Sequence, residues 1–415
     1  MSDPVAIVRL AVALIAAATI VAAAARRVWL PDSVLLVLVG LGGGALLPEL
    51  HLAISPALVL SVYIPGLVFA AAYSIDWSHL RPVLAPVIAL AIPGVVVSGL
   101  VVAFVLNLWF GLPIGLAFVV GAATAATDPV AVVATMARLN VPTELRTLVE
   151  GESLLNDGTG LVLFALAVRA VSSGVDLGEA AVLFVSTVTV SVIVGIVGGL
   201  VGARAMLATR DRTMQLAISL VIAYGTYELA DAVGLSGILA TVIAGIALGT
   251  VVRRAESRGE LDEEVEGLWD VIAFVLTSSV FLLIGFAITV PALIHAASAI
   301  AVGTVAIVAG RALIVYLPTT LSRLRRGRDA LPRGWAHVVF WSGLRGAIAL
   351  AAALSLPSDF PARQLLQEII FGIVLVTLVL QGGTAPLIVR RSLRAARQPP
   401  EVGDRVDRPG APHPA

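Results

Sequence analysis

The amino-acid sequence predicts an all-α polytopic membrane protein of about thirteen transmembrane helices. Three observations carry that expectation. Of the 415 residues 59% are hydrophobic and only 13% charged, about half the charged share of soluble domains. The apolar residues fall in blocks of about 20, the length of helix that crosses a hydrocarbon core of about 30 Å. All 27 basic residues are Arg and gather in alternate connections, as expected of cytoplasmic loops.

The first block, 4–25, shows no A-x-A cleavage pattern before Arg26, so it reads as a membrane helix rather than a removed signal. Pro, Gly and Arg separate it from blocks at 33–48, which is short, 54–75, 83–107, 112–138, 147–170, 178–204, 212–231, 235–252, 267–289, 292–317, 335–357 and 366–390. With the N-terminus outside, 22 Arg lie on the cytoplasmic side and only Arg169 and Arg363 opposite, while Arg9, Arg311 and Arg345 fall within spans. The expected topology therefore has a cytoplasmic C-terminus. Residues 1–397 form one transmembrane domain, and 398–415, rich in Pro and charge, a disordered cytoplasmic tail. The charged connections at 253–266 and 323–333 read as solvated. The absence of Cys excludes disulfides and Cys-ligated metals. With five scattered His, no HExxH and no Gly-rich phosphate loop, neither an enzyme nor a bound cofactor is expected.

Against this apolar background stand Thr127-Asp-Pro129 and Glu150-Gly-Glu-Ser-Leu-Leu-Asn-Asp157. Ionisable residues in a bilayer core are costly and mark ion pathways or paired charges. Asp128 lies ten residues before Arg138 and Asp157 eleven after Arg146, which at 1.5 Å per residue puts each about 15 Å deep, near the midplane. The short 138–146 connection makes their helices antiparallel neighbours. Pro129 removes a backbone hydrogen bond and frees carbonyls at that depth, and Thr124 and Thr127 add hydroxyls. Broken helices of this kind bind ions in secondary transporters; a kink used only for packing is the plainer alternative. Ser153 and Asp157 share a helix face, with Glu152 and Asn156 on the adjoining one. Such oxygen donors suit a hard cation, and a proton and a cation can compete for Asp157. Glu152 and Arg311 lie at about the same depth, which favours a bracing ion pair. Arg345, in Gly343-Leu-Arg-Gly346, sits closer to the midplane, where it can balance the negative charge of the site.

Thr127-Asp-Pro-Val-Ala-Val132, Glu150 to Gly158, Arg311 and Trp341-Ser-Gly-Leu-Arg-Gly-Ala-Ile348 resemble the monovalent cation:proton antiporter family of bacterial sodium/proton antiporters and animal exchangers. The resemblance implies a homodimer of thirteen-helix protomers with a dimerisation part, a mobile core and two inverted repeats. It also implies two crossing broken helices, at Asp128 and Arg345, and elevator-like alternating access. Carried over residue by residue, Asp157 binds sodium or a proton, helped by Ser153, Asp128 and the main chain at Thr127, while Asn156, Glu152 and Arg311 brace the core. Asn156 before Asp157 resembles the electroneutral branch, with one proton per cation. One departure stands in the third span, Ile64-Pro-Gly-Leu-Val-Phe-Ala70. Ala70 occupies the family's usual acidic position and Gly66 that of a second Pro, so weaker sodium binding or altered ion choice is expected.

The function these observations favour is sodium/proton antiport, with lithium as a further cation, serving pH homeostasis in a bacterial inner membrane. Potassium or broader cation/proton exchange competes with it, as does a sensor or channel-like protein on the same fold.

Overall fold

A computed structural model of the chain describes residues 4–25, 31–46, 56–139, 141–174, 176–255, 260–324 and 333–397. The tail at 398–415 and most of the basic 323–333 connection lie outside these residues, so the expectations made for them have no structural counterpart. The described residues are mainly helical, without strands.

Helix follows the apolar blocks. α1 (Pro4–Ala25) and α2 (Asp32–Leu46) cover the first two. The third runs from Pro56 through a π-helical turn, Val59–Tyr63, into α3 (Ile64–Tyr73). The ladder loosens beside Pro65, which has no N–H to give, and the Val62 carbonyl accepts a hydrogen bond from the Tyr224 hydroxyl at 3.2 Å. The next helical stretch, Trp77–Phe110, opens on Asp76, whose carboxylate accepts from Ser78 N at 2.7 Å. It is interrupted at Ile92, ahead of Pro93, and its second part is α4 (Pro93–Phe110). α5 (Ile114–Ala125) and α6 (Val130–Ala137) share one predicted span, broken between them. α7 (Thr143–Ser173) ends on Gly174 at φ 65°, a left-handed cap that only glycine adopts at no cost.

Then come α8 (Leu177–Ala208), α9 (Arg212–Ala232), α10 (Gly237–Ala255) and α11 (Glu260–Ala287). After the short helix Val290–His295 comes α12 (Ala297–Leu324). α13 (Arg333–Trp341) and α14 (Ala347–Leu354) form a second broken span, and α15 (Arg363–Thr377) continues through a π turn into α16 (Gly383–Arg397). Among the described residues, eight helical stretches are long and apolar enough to cross a membrane, Ile114–Ala137 with its break included; the second broken span and the shorter apolar helices Val12–Val21, Asp32–Leu46 and Val59–Tyr73 fall outside that count.

Small residues set the closest approaches. A Cβ on Gly195 or Gly199 of α8 would collide with the Ala240 or Ala244 carbonyl of α10, and Gly40 of α2 meets Gly285 of α11 in the same way. Lipid tails are as apolar as the helices, so close backbone contact replaces the hydrophobic drive between them.

One expectation is corrected. The 253–266 stretch is largely not a loop: α10 runs to Ala255 and α11 starts at Glu260. Arg253 donates to the Tyr73 and Ile75 carbonyls at 2.8 and 2.7 Å, satisfying the orphan groups at the end of α3, and pairs with Asp262 at 3.3 Å.

Candidate functional site

The two broken spans cross. α5 stops at Ala125, Ala126 turns extended (φ −61°, ψ 142°), and α6 does not begin until Val130. Gly346, equally extended, precedes α14. Asp128 N donates to the Leu344 carbonyl at 2.8 Å where the breaks meet. The carbonyls freed at the end of α5 are those of Ala125 and Ala126, and Arg345 Nη1 donates to both, at 2.6 and 2.9 Å. The break thus starts ahead of Pro129, and Arg345 holds it open by supplying donors that the helix lacks. Gly346 is required by approach rather than by φ: a Cβ there would overlap the Asp128 carboxylate. That carboxylate lies where α6 and α14 both begin, and Oδ1 accepts from Val130 N at 3.1 Å. Helix N-termini carry partial positive charge, which steadies a carboxylate between them.

α7 presents its polar face to this crossing. Asn156 Oδ1 accepts from Thr127 N at 3.0 Å, and Nδ2 donates to Thr127 Oγ1 at 2.7 Å and to Glu152 Oε1 at 2.6 Å. Ser153 Oγ donates to the Thr127 carbonyl. Glu152 and Arg311 form a forked pair at 2.7 and 2.8 Å, and Arg311 Nη2 also donates to the Val339 carbonyl near the end of α13 at 2.8 Å. The two arginines therefore act alike, each capping a half-helix of one broken span. Asp157 differs from all of these: among the described residues its carboxylate receives no hydrogen bond, and it faces a cavity of about 850 Å³ together with Asp128, Thr127 and Ser153. Thr124, expected to offer a site hydroxyl, donates back to Val120 O at 2.8 Å instead.

A family model for the transmembrane sodium/hydrogen exchangers matches residues 11–391. The chain belongs to the sodium/hydrogen exchanger family. It is 37% identical to the Na(+)/H(+) antiporter ApNhaP of Aphanothece halophytica, over 87% of this chain and 70% of that relative. With the low-affinity Na(+)/H(+) antiporter NhaS1 of Synechocystis it shares 33% identity over 87% of this chain and 69% of the relative. The fold is similar to the sodium proton antiporter MjNhaP1 of Methanocaldococcus jannaschii, with a TM-score of 0.79 at 19% identity, covering 95% of this chain and 99% of that one.

The cavity wall includes Ala70, so the acid missing from the third span is missing from the chamber itself. Gly66 has its own account. A Cβ there would stand 2.5 Å from Leu276 Cδ1 and 2.7 Å from the Tyr224 hydroxyl, so these side chains occupy the room a second Pro would need. Sequence reasoning missed two polar features. Thr159 on α7 donates to the Ala91 carbonyl beside the Ile92 kink, and Arg146 pairs with Glu150 on the cavity wall at 2.8 Å. The i, i+4 spacing of the second was visible in the sequence; the partner of Thr159, 68 residues away, had no signal.

Proposed function

We propose that this chain exchanges sodium, or lithium in its place, for protons across a bacterial inner membrane, one for one, by elevator-like movement of a core within a homodimer. The observation that carries the reading is Asp157. Among the described residues its carboxylate has no hydrogen-bond partner, and it lines the cavity together with Asp128, Ser153 and Thr127, where one ion or one proton can complete its charge.

The local charge supports the stoichiometry. Glu152 and Arg311 neutralise each other. Asp128, Asp157 and the always-protonated Arg345 then sum to one negative charge, which a single sodium ion or a single proton cancels. The same site cannot hold both without excess charge, so each expels the other. With the N-terminus outside, as the Arg distribution favours, the cavity mouth at Asp76, His79 and Arg146 faces the cytoplasm, the inward-open stage of alternating access. Thirteen crossings in two inverted repeats fit the paired breaks and the paired arginine caps.

Potassium or broader cation exchange is the second reading, favoured by Ala70, because a chamber with one carboxylate fewer discriminates less strongly for a small, tightly hydrated ion. Proteoliposomes carrying a pH dye and challenged with sodium, lithium or potassium separate the two. Wild type is expected to alkalinise or acidify the lumen in response to a sodium gradient, and Asp157→Asn to be silent. Persisting exchange in that variant sinks the mechanism.

A further inference from the structure

The cavity contains an ion pair that the exchange proposed above does not use. Asp157, Ser153, Glu150 and Arg146 follow one another at intervals of four, three and four residues along α7, which aligns them as one stripe, and all four line the cavity. Glu150 is seven residues, about 10 Å, from Asp157 toward the mouth, and Arg146 about 6 Å farther. The pair is unlike the brace behind it. Arg311 forks onto Glu152 with both side chains buried, 3% and 1% exposed. Arg146 reaches Glu150 through Nε, and the two are 48% and 22% exposed. A half-exposed pair held by one such bond is weak and readily exchanged. α3 lines the same chamber with Ile64, Leu67, Val68, Ala70 and Ala71, none of them acidic, and the wall carboxylates Asp76, Glu266 and Asp270 stand on other elements, so Glu150 is the carboxylate that α7 itself places between the mouth and Asp157.

We propose that Glu150 is a relay carboxylate on the cation's path, and that Arg146 is the resident cation that an arriving sodium ion displaces. Swinging into solvent, Arg146 leaves Glu150 to hold the ion one step short of Asp157; when the ion moves on, Arg146 returns and the pair is again neutral. The two side chains thus act in opposite senses on cation uptake, whereas two halves of a merely structural pair would fail together.

This inference rests on the proposed exchange, and its test separates the two. Proteoliposome exchange is measured against sodium concentration for wild type, Glu150→Gln, Arg146→Gln, Glu150→Asp, the Glu150→Gln/Arg146→Gln double variant and Asp157→Asn. Loss of a charge about 10 Å from the site, at an effective dielectric of about 20–40, raises the half-saturating sodium concentration roughly four- to fifteen-fold in Glu150→Gln, with a smaller change in maximal rate. Arg146→Gln lowers it by about two- to fivefold, the strength of a partly exposed pair that the arriving ion no longer has to break. Glu150→Asp, which keeps the charge, stays near wild type, and the double variant follows Glu150→Gln because Arg146 acts through Glu150. Shifts of the same sign in both single variants, or an unchanged half-saturation in Glu150→Gln while Asp157→Asn is silent, overturn the relay alone. Exchange persisting in Asp157→Asn overturns the underlying function and the relay with it.

Discussion

Replacing Arg311 by Met tests whether the brace behind the crossing holds it together. Arg311 and Glu152 are 3% and 1% exposed and joined by two bonds, of 2.7 and 2.8 Å. With charge centres about 4 Å apart and an effective dielectric of about 20, their attraction is about 4 kcal/mol. That agrees with the cost of about 3–5 kcal/mol for removing one partner of a buried pair. Arg311→Met also strips a donor from the Val339 carbonyl, which loosens the end of α13. Glu152→Gln keeps the shape and strands the guanidinium charge, so a loss of about 3 kcal/mol or more is expected there too. The double variant removes both charges, so its loss falls short of the summed single losses by about 2 kcal/mol or more, the mark of direct coupling. The assay is unfolding of the purified protein in detergent, arranged as a double-mutant cycle. Additive losses, or either single variant within about 1 kcal/mol of wild type, would falsify the brace.

Three further outcomes follow from the geometry. Gly346→Ala pushes a methyl into the Asp128 carboxylate; exchange in proteoliposomes is expected to fall by about tenfold or more, equivalent to about 1.4 kcal/mol of displaced charge, with helical content unchanged by circular dichroism. Asn156→Ala leaves the Thr127 N–H and hydroxyl without their partner; a stability loss of about 1–3 kcal/mol is expected, and a variant as stable as wild type contradicts the role given to Asn156. Asp76→Ala removes the cap on Ser78 N and costs about 1 kcal/mol. The Ser78 N–H is the main reason the Asp76 carboxyl titrates below its ordinary range. The cap's contribution is therefore present above the unfolded-state Asp pKa and lost as pH falls through the lower folded value. Wild type and Asp76→Ala should converge in stability in acid, and a gap that persists there rules the cap out as its source.

Much of this molecule was legible from local pattern. Block length and charge placement specify a helical membrane protein because a bilayer accepts few alternatives: backbone groups without water must pair within the segment. Depth counting alone brought Asp128 level with Asp157 and Glu152 level with Arg311, since rise per residue is the same in every helix. Pro129 announced a break for the same local reason, the missing N–H.

What pattern cannot reach is the partner of a group freed by such a break. Arg345 caps carbonyls 219 and 220 residues away, and Arg253 caps ends 178 and 180 residues away; no periodicity links these positions. From the sequence Arg345 was a counter-charge and Arg253 part of a solvated connection. Only the crossing of distant segments, with unsatisfied carbonyls that a low-dielectric interior will not leave bare, made each a structural donor. The same holds for Asp157. Its midplane depth was countable, but that it alone of the polar cluster lacks a partner and faces the open chamber was decided by how α7 is rotated against the two broken spans.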